Sequence, residues 1–143
     1  MANHRYVFVN TSGWLALYNP RDPNHETAGE FWRDLQQQPV RLVSTDYVME
    51  QVYTALKVFG SLSTAQAFHQ VVTNSEIMRL FMTDSVIFDR AWEVFVADEH
   101  PQWTFTDCVN YAVIQYLGVT EVFTFDPTFT APGLTVLPSM GQR

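Results

Sequence analysis

Short apolar runs alternate with helical stretches along the whole chain, and this alternation limits the possible folds more than any other feature. RYVFV (5–9), VRLVST (40–45), EIMRLFMT (76–83), EVFTF (121–125) and LTVLP (134–138) are rich in β-branched and aromatic residues and read as strands. Between them lie stretches with apolar residues at helical spacing. WLALY follows the first strand, and a helix is expected over about 24–38 with Phe31, Trp32 and Leu35 on one side. DYVMEQVYTALKVF (46–59) is capped by Thr45 or Asp46, and Ser61 or Ser63 opens a helix to about Val72. Asp84 opens another to about Ala97, with Val86, Ile87, Ala91, Val94 and Phe95 as its expected buried stripe. FTDCVNYAVIQYLG (105–118) starts at Thr106 or Asp107 and stops at Gly118. This alternation argues for the α/β class, with a parallel sheet covered on both faces.

The 143 residues suit one compact domain spanning 1–143, with SMGQR (139–143) expected to fray. No apolar run reaches the length of a membrane span, and the N-terminal run is interrupted by NTSG. Neither a basic start nor a small-residue cleavage site marks a secretory signal. The single Cys108 has no internal disulfide partner, which leads to the expectation of a reducing, cytoplasmic location. A net charge of −7 disfavours unaided binding to long duplex nucleic acid. It suits a metal ion, a basic protein partner, or only a solvated acidic surface.

In a doubly wound sheet, ligands bind beyond the carboxyl ends of the strands, where the strand order reverses. Four residues far apart in sequence can meet there: Asn10 after the first strand, Glu50 a turn into the helix after the second, Asp107 at the start of the last helix, and Asp126 after the fourth strand. Three carboxylates in one cleft repel unless a cation lies between them, and oxygen ligands favour Mg²⁺ or Mn²⁺ over zinc. The four histidines show no i, i+4 pair. Each acid also has a plain structural reading: Asp107 as a helix cap, Asp126 as a turn former before Pro127, Glu50 as a solvated helix residue.

VFVNTSGWLALY, STDYVMEQVYTAL, FTDCVNYAVIQYLG and TFDPTF, in this order and spacing, resemble the successive signature segments of PIN domains, in particular VapC-type toxins. The resemblance spans nearly the whole chain, and FTDCVNYAV with the following LG and VFTFD is its most specific part. It implies a three-layer α/β/α domain with a five-stranded, mainly parallel sheet in the order 3-2-1-4-5. It also implies a metal-dependent endoribonuclease, acting on structured RNA such as tRNA or rRNA and neutralised by a small antitoxin. Asn10, Glu50, Asp107 and Asp126 match the positions that hold Mg²⁺ or Mn²⁺, with Thr11, Ser12 and Thr106 as partners of the acids or of bound water. Homodimerisation is the family's habit, and the aromatic-rich early helices are the expected surface.

The departures carry equal weight. Asn10 stands where the family has its first aspartate, so the site loses one charge and gains an N–H₂ donor. That predicts weaker metal binding and impaired turnover, from either an inactivating replacement or a naturally degenerate site. Gln51 directly follows Glu50, so a shift of one residue would place an amide there as well; counting from RLVST favours Glu50. PTF after Asp126 replaces a basic residue expected of many relatives. Two rival functions follow: a catalytically inert PIN-like module that binds RNA or antitoxin, and a phosphoacceptor domain. The second needs a lysine after a late strand, whereas Lys57, the only lysine, lies in a helix.

Overall fold

A computed structural model describes residues 5–139. Five strands, β1 (Arg5–Val9), β2 (Val40–Thr45), β3 (Met78–Phe81), β4 (Glu121–Phe123) and β5 (Thr135–Leu137), form one sheet in the order β3-β2-β1-β4-β5. Every pairing is parallel. Six helices cover it: α1 (Thr11–Tyr18), α2 (His25–Gln36), α3 (Asp46–Phe59), α4 (Leu62–Asn74), α5 (Ser85–Ala97) and α6 (Phe105–Leu117). The expected α/β class, three layers and strand order are all confirmed, and among the described residues the sheet is parallel throughout. The expected fray at 139–143 falls almost wholly outside them.

The central strand β1 has neighbours on both sides and helices on both faces, so Val7, Phe8 and Val9 are fully buried. A continuous apolar run suits such a position, where alternation would bury polar side chains. At the amino edge the Arg5 guanidinium pairs with Glu121 of β4 at 2.7 Å.

Caps fix where the helices begin. Thr45 accepts the Val48 N–H to start α3, Ser61 starts α4 and Asp84 starts α5. The start of α6 differs from expectation. Thr104, rather than Thr106 or Asp107, is the cap, and Asp107 three residues on returns a bond to the Thr104 N–H, closing a capping box. The α5 stripe is also narrower than its periodicity suggests. Ile87 and Ala91 are buried, but Val86 and Phe95 are exposed because α5 packs chiefly on α6 as an outer helix.

The aromatic residues of the early helices turn inward. Trp14 is buried, its ring 5.5 Å from Trp32 and 5.2 Å from Phe68, while Phe31 packs 4.9 Å from Phe123. The exposed apolar side chains lie elsewhere, with Phe88, Trp92 and Phe95 on α5. No helix among the described residues is long and apolar enough to cross a membrane.

Candidate functional site

The chain changes direction at β1: β2 lies on one side of it and β4 on the other, so a crevice opens at their carboxyl ends. Asn10 leaves β1 there. Its backbone N–H bonds the Phe123 carbonyl at 3.0 Å, tying the exits of β1 and β4 together. Gly13 makes the approach possible, since a Cβ there would come within 2.8 Å of that same carbonyl oxygen.

Asn10 caps α1. Its Oδ1 accepts the Thr11 N–H at 2.8 Å and the Asn110 Nδ2–H at 3.3 Å. Asn110 in turn accepts the Thr45 hydroxyl at 2.7 Å. Asn10, Asn110 and Thr45 are all buried, and together they join the starts of α1 and α3 to the middle of α6.

Asp107 lies one turn before Asn110 on α6, so both project on the same side of the helix. Burial is the main influence raising its carboxyl pKa from 3.8; the bonds from Thr104 oppose the shift, and the nearby charge of Asp126 adds to it. Asp126 follows β4 by three residues. Its Oδ1 accepts the Thr128 N–H at 2.9 Å and the Thr128 hydroxyl at 2.8 Å. Trp103 anchors this turn from the start of α6 by donating its Nε1–H to the Thr128 carbonyl at 2.8 Å. Thus the charge of Asp126 reaches Asp107, and each carboxylate also serves the local structural role that its position suggested.

Helix α3 distinguishes the neighbouring pair, Glu50 and Gln51. Val48, Met49, Val52 and Leu56 form the buried side of α3. Residues advance about 100° around a helix, so Gln51 stands at the margin of that side while Glu50 points further outward. Gln51 accepts the Thr11 hydroxyl at 2.6 Å. Glu50 is exposed, and Thr54 on its own helix donates to it at 3.3 Å. Gln51, not Glu50, is thus the α3 side chain bonded to the residue that follows Asn10.

The hydroxyl residues divide as well. Thr11 serves Asn10 and Gln51. Ser12 meets Thr124 at 2.9 Å and accepts the Phe125 N–H at 2.8 Å, and Thr124 accepts the Asp126 N–H at 3.1 Å, so Ser12 shapes the Asp126 turn. Thr106 is partly buried, and the hydroxyl that caps α6 is that of Thr104.

Sequence reasoning missed Asn110, Thr124 and Thr104. Asn110 had a signal, a polar residue among Cys108, Val109, Ala112 and Val113 on an otherwise apolar helix side. Thr104 had one too, because Thr-x-x-Asp before an apolar run is a capping-box pattern. Thr124 had none.

The donor set limits what the cleft can bind. The candidates at this edge are two carboxylates and two amides, and the Asn10 oxygen already accepts two hydrogen bonds. Among the described residues no three of His, Cys, Asp and Glu are grouped so as to hold a metal ion. These residues do not fit a tightly held Mg²⁺ or Mn²⁺, which strips its hydration only for strongly anionic oxygen ligands.

Comparison with known proteins agrees with this architecture. The chain is 28% identical over 127 residues, 89% of its length and 94% of the relative's, to the 23S rRNA-specific endonuclease VapC20 of Mycobacterium tuberculosis. The crystal structure of VapC20, described as a Sarcin-Ricin loop cleaving toxin, superposes with a TM-score of 0.80 at 27% identity, covering 90% of this chain and 96% of that one. A toxin–antitoxin complex from Klebsiella pneumoniae has the same fold, with a TM-score of 0.67 at 15% identity over 90% of this chain and 95% of that one. FitAcB from Neisseria gonorrhoeae shares it too, at a TM-score of 0.61 and 13% identity, covering 91% of this chain and 95% of that one. The PIN domain model matches residues 7–133, and the chain belongs to the PIN domain family.

Proposed function

We propose that this protein is a toxin-type endoribonuclease directed at structured RNA, ribosomal or transfer RNA, and that its turnover is impaired in the present sequence. The single observation that carries this reading is the cleft at the carboxyl edge. Asn10, Gln51, Asp107 and Asp126 come from four separate elements to line it, in a chain similar along 89% of its length to a 23S rRNA-specific endonuclease. The Klebsiella structure is a toxin–antitoxin complex, which supports a small antitoxin as the partner of this chain. The action would be cytoplasmic, where such RNA is found. A homodimer through the early helices is part of the proposal, with Tyr18, Phe31 and Trp32 only partly buried there.

The chain's own residues can do part of the work. Asp107, with its raised pKa, can hold a proton at this edge, and the nearby charge of Asp126 favours that protonated form. Thr11 fixes the Gln51 amide, and Ser12 fixes the turn that carries Asp126. A divalent cation, Mg²⁺ or Mn²⁺, would neutralise phosphate charge in a fully acidic cleft, and the amides at Asn10 and Gln51 oppose its binding. Two amides exceed what a single inactivating replacement requires, which supports natural degeneracy.

Cleavage of a total-RNA panel by the native chain and by Asn10→Asp, each with Mn²⁺, Mg²⁺ or a chelator, tests the proposal. Cutting by Asn10→Asp that the chelator stops is the expected result. A second reading, an inert module that binds RNA or antitoxin, is favoured by the occupied oxygen of Asn10. Binding of metal by Asn10→Asp without any cut in ribosomal or transfer RNA would establish that reading instead.

A further inference from the structure

The direction of each hydrogen bond around Asn10 can be fixed from chemistry alone. A backbone N–H only donates, so the atom that receives the Thr11 N–H at 2.8 Å is the amide oxygen of Asn10. Thr45 Oγ1 receives the Val48 N–H at 3.1 Å, which leaves its own proton for Asn110 Oδ1 at 2.7 Å. Asn110 is thereby oriented with its N–H₂ toward Asn10, and it supplies the second donor to the same oxygen. The Asn10 oxygen is held from two sides, and its N–H₂ points away from both. No buried side-chain nitrogen or oxygen among the described residues lacks a partner. Asn10 as a whole is only 4% exposed, so its small accessible area includes that N–H₂ at the crevice.

We propose that Asn110, oriented by Thr45, is a positioning residue that turns the Asn10 N–H₂ into the cleft, where it excludes a divalent cation. The loss of metal affinity then has two sources. One carboxylate charge is missing, and the amide oxygen that could have coordinated a cation is bonded elsewhere. With aspartate at position 10, the same two donors would hold Oδ1, and Oδ2 would replace the N–H₂ at the cleft. Asn110 therefore serves either residue, but only aspartate then offers the cleft an anion. This positioning role rests on the nuclease reading of the cleft, yet its test makes no use of RNA cleavage.

Mn²⁺ titration followed by the electron-spin resonance of the free ion tests it, in the full chain and without RNA. The native chain should bind Mn²⁺ at least tenfold more weakly than Asn10→Asp. In the Asn10→Asp background, Thr45→Val removes the hydroxyl that orients Asn110 and should weaken Mn²⁺ binding several-fold. Thr45→Ser, which keeps the hydroxyl, should restore it. Native and Asn10→Asp chains binding Mn²⁺ within twofold of each other would overturn the inference, and this comparison needs no Thr45 variant to fold. Equal affinity in folded Thr45→Val and Thr45→Ser chains would overturn the role of Asn110. Tight Mn²⁺ binding by Asn10→Asp with no RNA cut would support the inference while removing the nuclease function.

Discussion

Replacing Gly13 by alanine sets a local preference against a tertiary contact. Gly13 lies in the first turn of α1, where alanine is the better helix former by up to about 1 kcal/mol. The added Cβ would meet the Phe123 carbonyl oxygen at 2.8 Å and the Phe123 ring at 3.2 Å. Both belong to a fully buried residue of β4, and the carbonyl also accepts the Asn10 N–H. Overpacking of this kind costs about 1–3 kcal/mol, and weakening the Asn10 bond adds up to about 1 kcal/mol. The net expectation is a loss of about 1–3 kcal/mol, a fall in Tm of roughly 3–12 °C for a chain of this size. Urea and thermal unfolding followed by circular dichroism would measure it. An alanine variant as stable as the native chain would refute the claim that the β1 and β4 exits meet through Gly13, and with it the geometry of the cleft.

Other consequences can be checked separately. Trp103→Phe keeps the ring stacking but loses the bond to the Thr128 carbonyl, so it should cost about 1–2 kcal/mol and speed amide exchange at 126–129. Thr45→Val removes the α3 cap and leaves the Asn110 oxygen buried without a donor; chemical unfolding should show a loss of about 2–4 kcal/mol. Asp107→Asn should raise Tm at neutral pH. Its carboxyl pKa is raised in the folded chain, so the protonated form is favoured there: the stabilisation is full below about 3.8 and is lost as pH rises through the folded-state value. The amide removes the cost of ionisation and keeps an oxygen for the Thr104 N–H. Its advantage should vanish in acid, and a constant difference in Tm across pH would contradict burial of the ionised carboxylate as the cause.

The fold was legible because alternation of strands and helices admits few arrangements, and the buried run at Val7–Val9 marks a central strand. The location of the cleft followed from the strand ends, since Asn10 and Asp126 leave adjacent parallel strands. The phase of α3 was less accessible. Adjacent helical residues differ by about 100°, and choosing Glu50 over Gln51 required knowing which side of α3 meets α1. Hydroxyl networks were harder still. Thr45 reads as a cap in any helix of this kind, and its second bond, to a residue 65 positions away, depends on the packing of α3 against α6. The α5 stripe misled for a related reason: helical periodicity gives the side that is apolar, not the width that a neighbour covers.

Restoring acids one at a time in the Asn10→Asp chain tests most directly whether the two amides silence a PIN nuclease cleft. Gln51→Glu in that background, assayed on ribosomal RNA with Mn²⁺, should raise the cleavage rate at least tenfold, about 1.4 kcal/mol of transition-state stabilisation. Glu50→Gln in the same background should leave the rate within twofold. A rate that collapses with Glu50→Gln and ignores Gln51→Glu would contradict the placement of Gln51 in the cleft and return Glu50 to it.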